Sequence, residues 1–245
     1  MDGSRTGVTA ATADNVTEAL GAVEGGVFHA PNGKSFADGT VVSVAEKLIS
    51  AQPGMADLKT VIGHASRDMK KHAPESELTN WAVDRIMYDT ERLTGRKVDF
   101  GIANFGGIRT SIAAGDILED DIVSMFPFRN YLCYVKLKGE DVRAIFDHMA
   151  ATRVQVLGGV KLVVKDKKVE SLEIGGEPLD PERYYGLATI DFLLDGGDGL
   201  TLARNAGELI ITDVLIMDSI LPYVLETTAA GKDVEYFTDG RVEIR

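Results

Sequence analysis

The chain has 245 residues with Lys+Arg 26 against Asp+Glu 38, a formal net charge of -12, and 44% hydrophobic and 26% charged residues, the proportions of an ordinary globular protein long enough to bury its own core. Such an acidic balance argues against DNA or RNA as partner, since polyanions bind through cationic surface that releases counterions, although a few local arginines can still hold a small anion. The single cysteine, Cys133, excludes an intrachain disulfide and a Cys-based zinc site, no run of 18 apolar residues marks a membrane span, and MDGSRTGVTA has neither the basic nor the apolar region of an export signal.

No internal repeat, heptad run or low-complexity tract is present. Up to about residue 54, small and polar residues alternate with short apolar stretches. NGKSFADG (32–39) reads as a turn-rich loop, because Asn and Gly tolerate positive φ. SVAEKLISA (43–51) has helical spacing with Val44, Leu48 and Ile49 on one side, and QPG (52–54) ends it. TVIGHA (60–65) has the β-branched character of a strand. A long amphipathic helix is expected over 77–93, with Leu78, Trp81, Ala82 and Ile86 on its buried stripe, Ser76 as N-cap and Gly95 as stop. VDFGIAN (98–104) is a buried strand that runs into the pair Gly106 and Gly107.

A short acidic helix near 119–125, a strand over 131–138 and a helix over about 140–151 come next. Strands over 160–165 and 169–174 are joined by DKK, a short polar hairpin turn. YYGLATI (184–190) is a strand emptying into DGGDG; a final helix is expected over about 212–228, and GRVEIR closes the chain as a strand. Helices and strands mix without strict β-α-β alternation, which predicts an α+β fold, a mixed-sheet sandwich rather than a doubly wound sheet.

Three segments have the composition of a site. In NFGGIR the adjacent Gly106 and Gly107 let backbone approach a ligand closely, Asn104 offers donors and an acceptor, and Arg109 offers a planar fork for phosphate or hydroxyls. In isolation the same string is also a tight turn with a surface arginine, and its glycine spacing is neither a P-loop nor a dinucleotide fingerprint. In FPFRN (126–130), Pro127 fixes the backbone so that one phenylalanine turns inward and Phe128 is free to face a cleft. DFLLDGGDG (191–199) is a rigid, acceptor-rich loop after a strand, without the ligand spacing of an EF-hand. His29, His64, His72 and His148 have no metal-clamp spacing, and no nucleophile motif is present.

Together NFGGIR, PFRNYLCYVKLKGEDV and DFLLDGGDGL resemble, in order, the motifs of the C-terminal domain of the 5'-nucleotidase family, which also includes UDP-sugar hydrolases and 2',3'-cyclic phosphodiesterases. ESELTNWAVD (75–84) resembles a family helix more weakly, with Pro74 near where some members carry an arginine, Thr79 in place of a glycine and Arg85 in place of an alanine. The resemblance covers about residues 60–245 and leaves 1–59 as an N-terminal lead-in packed on or linked to that domain. It implies the α+β sandwich of that domain type, with Phe128 and Phe192 holding a base, Asn130 at the base edge and Asp198 accepting from ribose hydroxyls. Asn104 and Arg109, with Gly106 and Gly107, would lie toward the ribose and phosphate.

The Asp-x-His, Gly-Asn-His and His-x-His motifs of the family's catalytic domain are not in this sequence. The resemblance therefore implies no cofactor in this chain: the two divalent metals would come from a separate metallophosphatase domain or chain. The expected partner is a small-molecule nucleoside or nucleotide, with hydrolysis of a phosphomonoester as the joint activity. The alternatives are a non-catalytic nucleoside or nucleotide-sugar binding module, or a degenerate scaffold. A periplasmic or cell-surface setting follows from the same resemblance, with the export signal outside this sequence.

Overall fold

The structure, a computed structural model, describes residues 15–55 and 57–245; the first ten residues, read above for an export signal, lie outside them. The backbone divides into two compact units, one running to Val61 and including Leu118–Asp120, the other comprising Ile62–Ile117 and Asp121–Arg245. In the smaller unit, helix α1 (Val16–Leu20) leads into strands β1 (Ala22–Glu24), β2 (Val27–His29) and β3 (Ser35–Phe36), followed by helix α2 (Gly39–Ala51). The three strands form a sheet in that order, with antiparallel neighbours. Asp38 caps α2 by accepting from the backbone N–H groups of Thr40 and Val41. Two expectations are corrected here. The loop 32–39 contains strand β3, and α2 buries Val42 and Ala45, whereas Val44 and Leu48 stay 52% and 54% exposed. Apolar spacing located the helix, but which of its faces is covered depends on neighbours.

The larger unit takes all or most of β4 (Val61–Ala65), α3 (Glu77–Thr94), β5 (Phe100–Ala103), β6 (Gly115–Leu118), α4 (Glu119–Met125), β7 (Tyr131–Lys138), α5 (Gly139–Ala151) and β8 (Val156–Gly158). It continues with β9 (Val160–Lys165), β10 (Lys168–Ile174), β11 (Glu177–Pro178), β12 (Tyr184–Ile190), β13 (Glu208–Leu215), α6 (Ile216–Ala229) and β14 (Val242–Ile244). A five-stranded sheet has the order β13-β7-β12-β5-β8 and a four-stranded sheet β11-β10-β9-β14. Both are mixed: β12 with β5 and β9 with β14 are the parallel pairs, the remaining neighbours antiparallel. Mixed sheets with helices packed on them are the α+β architecture expected from the sequence.

Helix α3 forms where its caps and stripe agree. The Ser76 hydroxyl accepts from the Thr79 N–H, and the Thr79 hydroxyl accepts from the Ser76 N–H at 2.8 Å, a reciprocal capping box. Gly95 closes the helix in the left-handed region at φ 64. Leu78, Trp81, Ala82 and Ile86 are all buried. The helix lies so close to β5 that a Cβ on Gly101 would stand 2.6 Å from Cγ of Met87. The alternate neighbour, Phe100, instead packs its ring 6.0 Å from that of Phe146 on α5, as the two-residue side-chain period of a strand requires. Thus α3 and α5 cover opposite faces of the large sheet, and α5 also packs on β10. Asp166 and Lys167 take φ 49 and 59, the pair of positive values that a two-residue hairpin turn between β9 and β10 demands.

The expected helix over 212–228 is also corrected. Residues 208–215 are the edge strand β13, paired antiparallel with β7 from Glu208↔Lys136 onward, and the helix begins at Ile216. Ile210, Ile211, Thr212 and Val214 suit a pleated surface, and the partner strand decides what local spacing leaves ambiguous.

The C-terminal segment is fastened by Arg241, which is only 7% exposed. Its guanidinium donates to both carboxylate oxygens of Asp84 on α3 at 2.8 and 2.9 Å, to Asp239 at 2.8 and 2.7 Å, and to the Leu157 carbonyl. Burial opposes the charge of Arg241, but its hydrogen bonds to Asp239 and Asp84 prevail and raise its pKa. The hydrogen bond from Arg241 holds the Asp239 carboxyl below the usual carboxylate range. Arg241→Met should therefore cost about 2–3 kcal/mol in urea unfolding at neutral pH, below the cost of breaking a fully buried pair because both carboxylates keep some solvent. A lowered folded pKa stabilises above the unfolded value near pH ~4 and is lost as pH falls through the folded value. The difference between wild type and variant should shrink in acid; a difference that persists unchanged there would contradict the assignment.

Candidate functional site

The register of the large sheet gathers the three motif loops. Strands β12 and β5 run parallel, with Leu187↔Phe100 and Ala188↔Gly101 paired, so their C-terminal ends share one edge. Strand β7 is antiparallel to β12 with Ile190↔Leu132, so its beginning lies at that same edge. NFGGIR leaves the end of β5, DFLLDGGDG leaves the end of β12, and FPFRN enters β7.

Specific bonds then join the loops. Asn104 is nearly buried, and its Nδ2 donates to Oδ2 of Asp198 at 2.8 Å. Asp198 has φ 48 and ψ 27, a left-handed conformation that Asp tolerates better than most side chains. Gly107 is required beside Asn104, because a Cβ there would stand 2.5 Å from Asn104 Oδ1. The Asp191 carboxylate accepts from Asn130 Nδ2 at 2.9 Å and from the Phe192 N–H at 2.8 Å, so one acid orients both neighbours. Arg109 connects the first and second loops: its N–H donates to the Met125 carbonyl at 2.9 Å, and its guanidinium lies 5.9 Å from the Phe128 ring centre. It also donates to the Gly106 carbonyl at 3.3 Å.

Phe126 is buried, while Phe128 is 50% and Phe192 46% exposed. The division of labour expected around Pro127 is thus the one observed. Among the described residues neither exposed ring stacks on another aromatic ring. All eight residues selected from sequence, Asn104, Gly106, Gly107, Arg109, Phe128, Asn130, Phe192 and Asp198, belong to these three loops.

Three further residues brace the site without a motif to reveal them. Lys71 donates to the carbonyls of Phe105, at 2.9 Å, and Ile108. Gln155 is buried and accepts from the Phe105 N–H at 3.2 Å. Arg153 lies 5.7 Å from the Phe105 ring centre. Lys71 and Gln155 come from distant segments, and only the folded chain identifies them; Asp191 opens a selected motif and could have been weighed as the residue ending a strand. The Lys71 pKa is lowered by burial, then by the charges of Arg109 and Arg153, which places three cations around one loop of an acidic chain. Among the described residues, no three His, Cys, Asp or Glu side chains gather so as to hold a metal ion. Thr79, unusual by resemblance, belongs to the cap of α3, and Arg85 pairs with Asp89 at 2.8 Å between the rings of Tyr88 and Tyr223.

Residues 61–204 match the family described as 5'-nucleotidase, C-terminal domain. Protein UshA of Yersinia enterocolitica is 34% identical over 155 residues, covering 60% of this chain and 28% of that protein. The 5'-nucleotidase of Vibrio cholerae is 30% identical over 155 residues, with the same 60% and 28% coverage. The solved 5'-nucleotidase precursor of Thermus thermophilus superposes with a TM-score of 0.72 at 27% identity, over 84% of this chain and 43% of that one. The chain therefore spans less than a third of these curated relatives and less than half of that solved structure.

Gly107→Ala should push the Asn104 side chain off Asp198 and cost about 1–3 kcal/mol, the usual penalty of overpacking. Chemical denaturation measures it; an unchanged midpoint would mean that Asn104 is not held as described.

Proposed function

Because the chain belongs to the 5'-nucleotidase C-terminal domain family, we propose that it recognises a nucleoside or nucleotide, holding the base against Phe128 and Phe192. The observation that carries this reading is the pair of half-exposed rings at one sheet edge, each anchored by its neighbours: Phe192 through Asp191 and Phe128 beside Arg109. Stacking on an aromatic face suits any base and contributes about 1–3 kcal/mol per base. With its Nδ2 engaged by Asp191, Asn130 presents its amide oxygen to an amino group on the base edge. Asp198 has one oxygen occupied by Asn104 and the other left to accept from ribose hydroxyls. Arg109, with Lys71 and Arg153 nearby, supplies the positive potential that a phosphate requires.

The described residues do not fit a two-metal centre, so the role assigned to this chain is to bind and orient. In this reading, phosphomonoester hydrolysis needs a separate metallophosphatase domain or chain, which would activate water and stabilise the leaving oxygen. A periplasmic or cell-surface setting belongs to the same proposal and rests on the resemblance alone. A binding module without a hydrolytic partner would use the same residues.

Calorimetric titration of adenosine and AMP tests the site. Phe128→Ala and Phe192→Ala should each weaken adenosine by about 1–3 kcal/mol, and Arg109→Ala should weaken AMP about tenfold while leaving adenosine nearly unchanged. Absence of heat with either ligand from demonstrably folded protein would sink the reading, as would binding indifferent to both phenylalanines.

A further inference from the structure

None of the eight motif residues lines the cavity of about 440 Å³ that lies between α5 and the segment 199–205. Its volume falls in the range of small-molecule sites, about 300–1,000 Å³. The floor is apolar, with Leu137, Leu200 and Leu202 each at most 3% exposed. The rim is polar and of uneven charge. The Asp141 carboxylate is engaged by Asn205 Nδ2, and the Thr152 hydroxyl donates to the His148 carbonyl, whereas among the described residues neither the His148 imidazole nor the Arg204 guanidinium has an ion pair or hydrogen bond. An apolar floor beneath the Arg204 guanidinium and the His148 imidazole is complementary to a ligand with a flat or compact hydrocarbon body and one anionic group.

We infer that this cavity is a second ligand site, for a small amphipathic anion such as an aromatic carboxylate or phosphate, and that its occupancy changes the affinity of the nucleoside site. The coupling rests on the function proposed above and on one shared loop. Gly199 and Leu200 form part of the cavity wall and follow directly on Asp198. The Gly199 N–H donates to the Gly196 carbonyl at 3.1 Å, the Leu200 N–H to that of Gly197 at 2.9 Å, and the Gly196 N–H to that of Leu200 at 2.6 Å. On this inference the bonded turn acts as one body, and a ligand pressing on Leu200 displaces the Asp198 carboxylate that ribose would use. Two sites biasing one element are thermodynamically coupled, and the coupling is reciprocal.

Naphthoate serves as the anionic probe and naphthalenemethanol as its uncharged counterpart, each titrated into the full chain by calorimetry. Naphthoate should bind saturably. Ala144→Trp, which fills the mouth, should weaken it at least about tenfold, and Arg204→Glu should weaken naphthoate about tenfold but naphthalenemethanol hardly at all. Circular dichroism verifies that both variants fold, and the surface location of Arg204 keeps the second test available if Ala144→Trp does not. Saturating naphthoate should shift the adenosine dissociation constant at least about threefold, and Phe192→Ala should weaken adenosine about tenfold while sparing naphthoate.

No naphthoate binding to the folded chain, or binding indifferent to both variants, would overturn the second site. Unchanged adenosine affinity would overturn the coupling alone. Should adenosine not bind even without naphthoate, the nucleoside reading fails separately. The loop coupling is then read from hydrogen exchange of residues 196–200, and unchanged protection on naphthoate binding would overturn it.

Discussion

The site depends on strand β12 pairing in parallel with β5 on one side and antiparallel with β7 on the other. A parallel neighbour brings two C-terminal ends to one edge, and an antiparallel neighbour adds the beginning of a strand. Three loops separated by tens of residues therefore emerge together, where the backbone groups are no longer committed to the sheet. Helices α3 and α5, packed on opposite faces, hold that edge still; the close approach of α3 at Gly101 and the Phe100–Phe146 contact are the means.

On this edge the polar residues constrain one another. Asp191 accepts from both Asn130 and the backbone of Phe192, and Asn104 reaches across to Asp198. Each bond uses part of a side chain's capacity and leaves a defined remainder: an amide oxygen on Asn130 and a carboxylate oxygen on Asp198. Preorganisation of this kind reduces the ordering cost of binding. The same logic operates electrostatically. A chain of net charge -12 concentrates Lys71, Arg109 and Arg153 around NFGGIR, where burial, and after it the charges of Arg109 and Arg153, lower the Lys71 pKa. A local cluster can invert a global field because surface charges beyond a Debye length are largely screened.

Stability and the candidate site draw on different parts of the larger unit. Arg241, with Asp84 and Asp239, ties the C-terminal segment to α3 and to the Leu157 carbonyl. None of these groups belongs to the three motif loops. The segment Asp195–Leu200, by contrast, carries both Asp198, bonded to Asn104, and Gly199 and Leu200, which line the cavity beside α5. A rigid turn shared in this way transmits displacement because packed elements shift between arrangements rather than deforming continuously.

Much of the architecture was legible in the chain itself. Ser76, Leu78, Trp81, Ile86 and Gly95 specify α3 from cap to stop, because capping and a 3.6-residue apolar stripe are local properties. The glycines of NFGGIR and DGGDG marked where backbone must turn or be approached, and Pro127 divided Phe126 from Phe128. Edge strand β13 was not legible, since IITDVL is a strand only because β7 lies beside it. The exposed side of α2 and the bracing by Lys71 and Gln155 were equally hidden. The local elements and the three loops that carry the candidate site can be read from the chain alone, because caps, periodicity and turn residues act over a few positions. That these loops meet, which atoms of Asn104, Asn130 and Asp198 remain available, and that a cavity lies beyond the same turn depend on the folded chain. Those facts arise from pairing and packing between residues far apart in sequence, which no local pattern encodes.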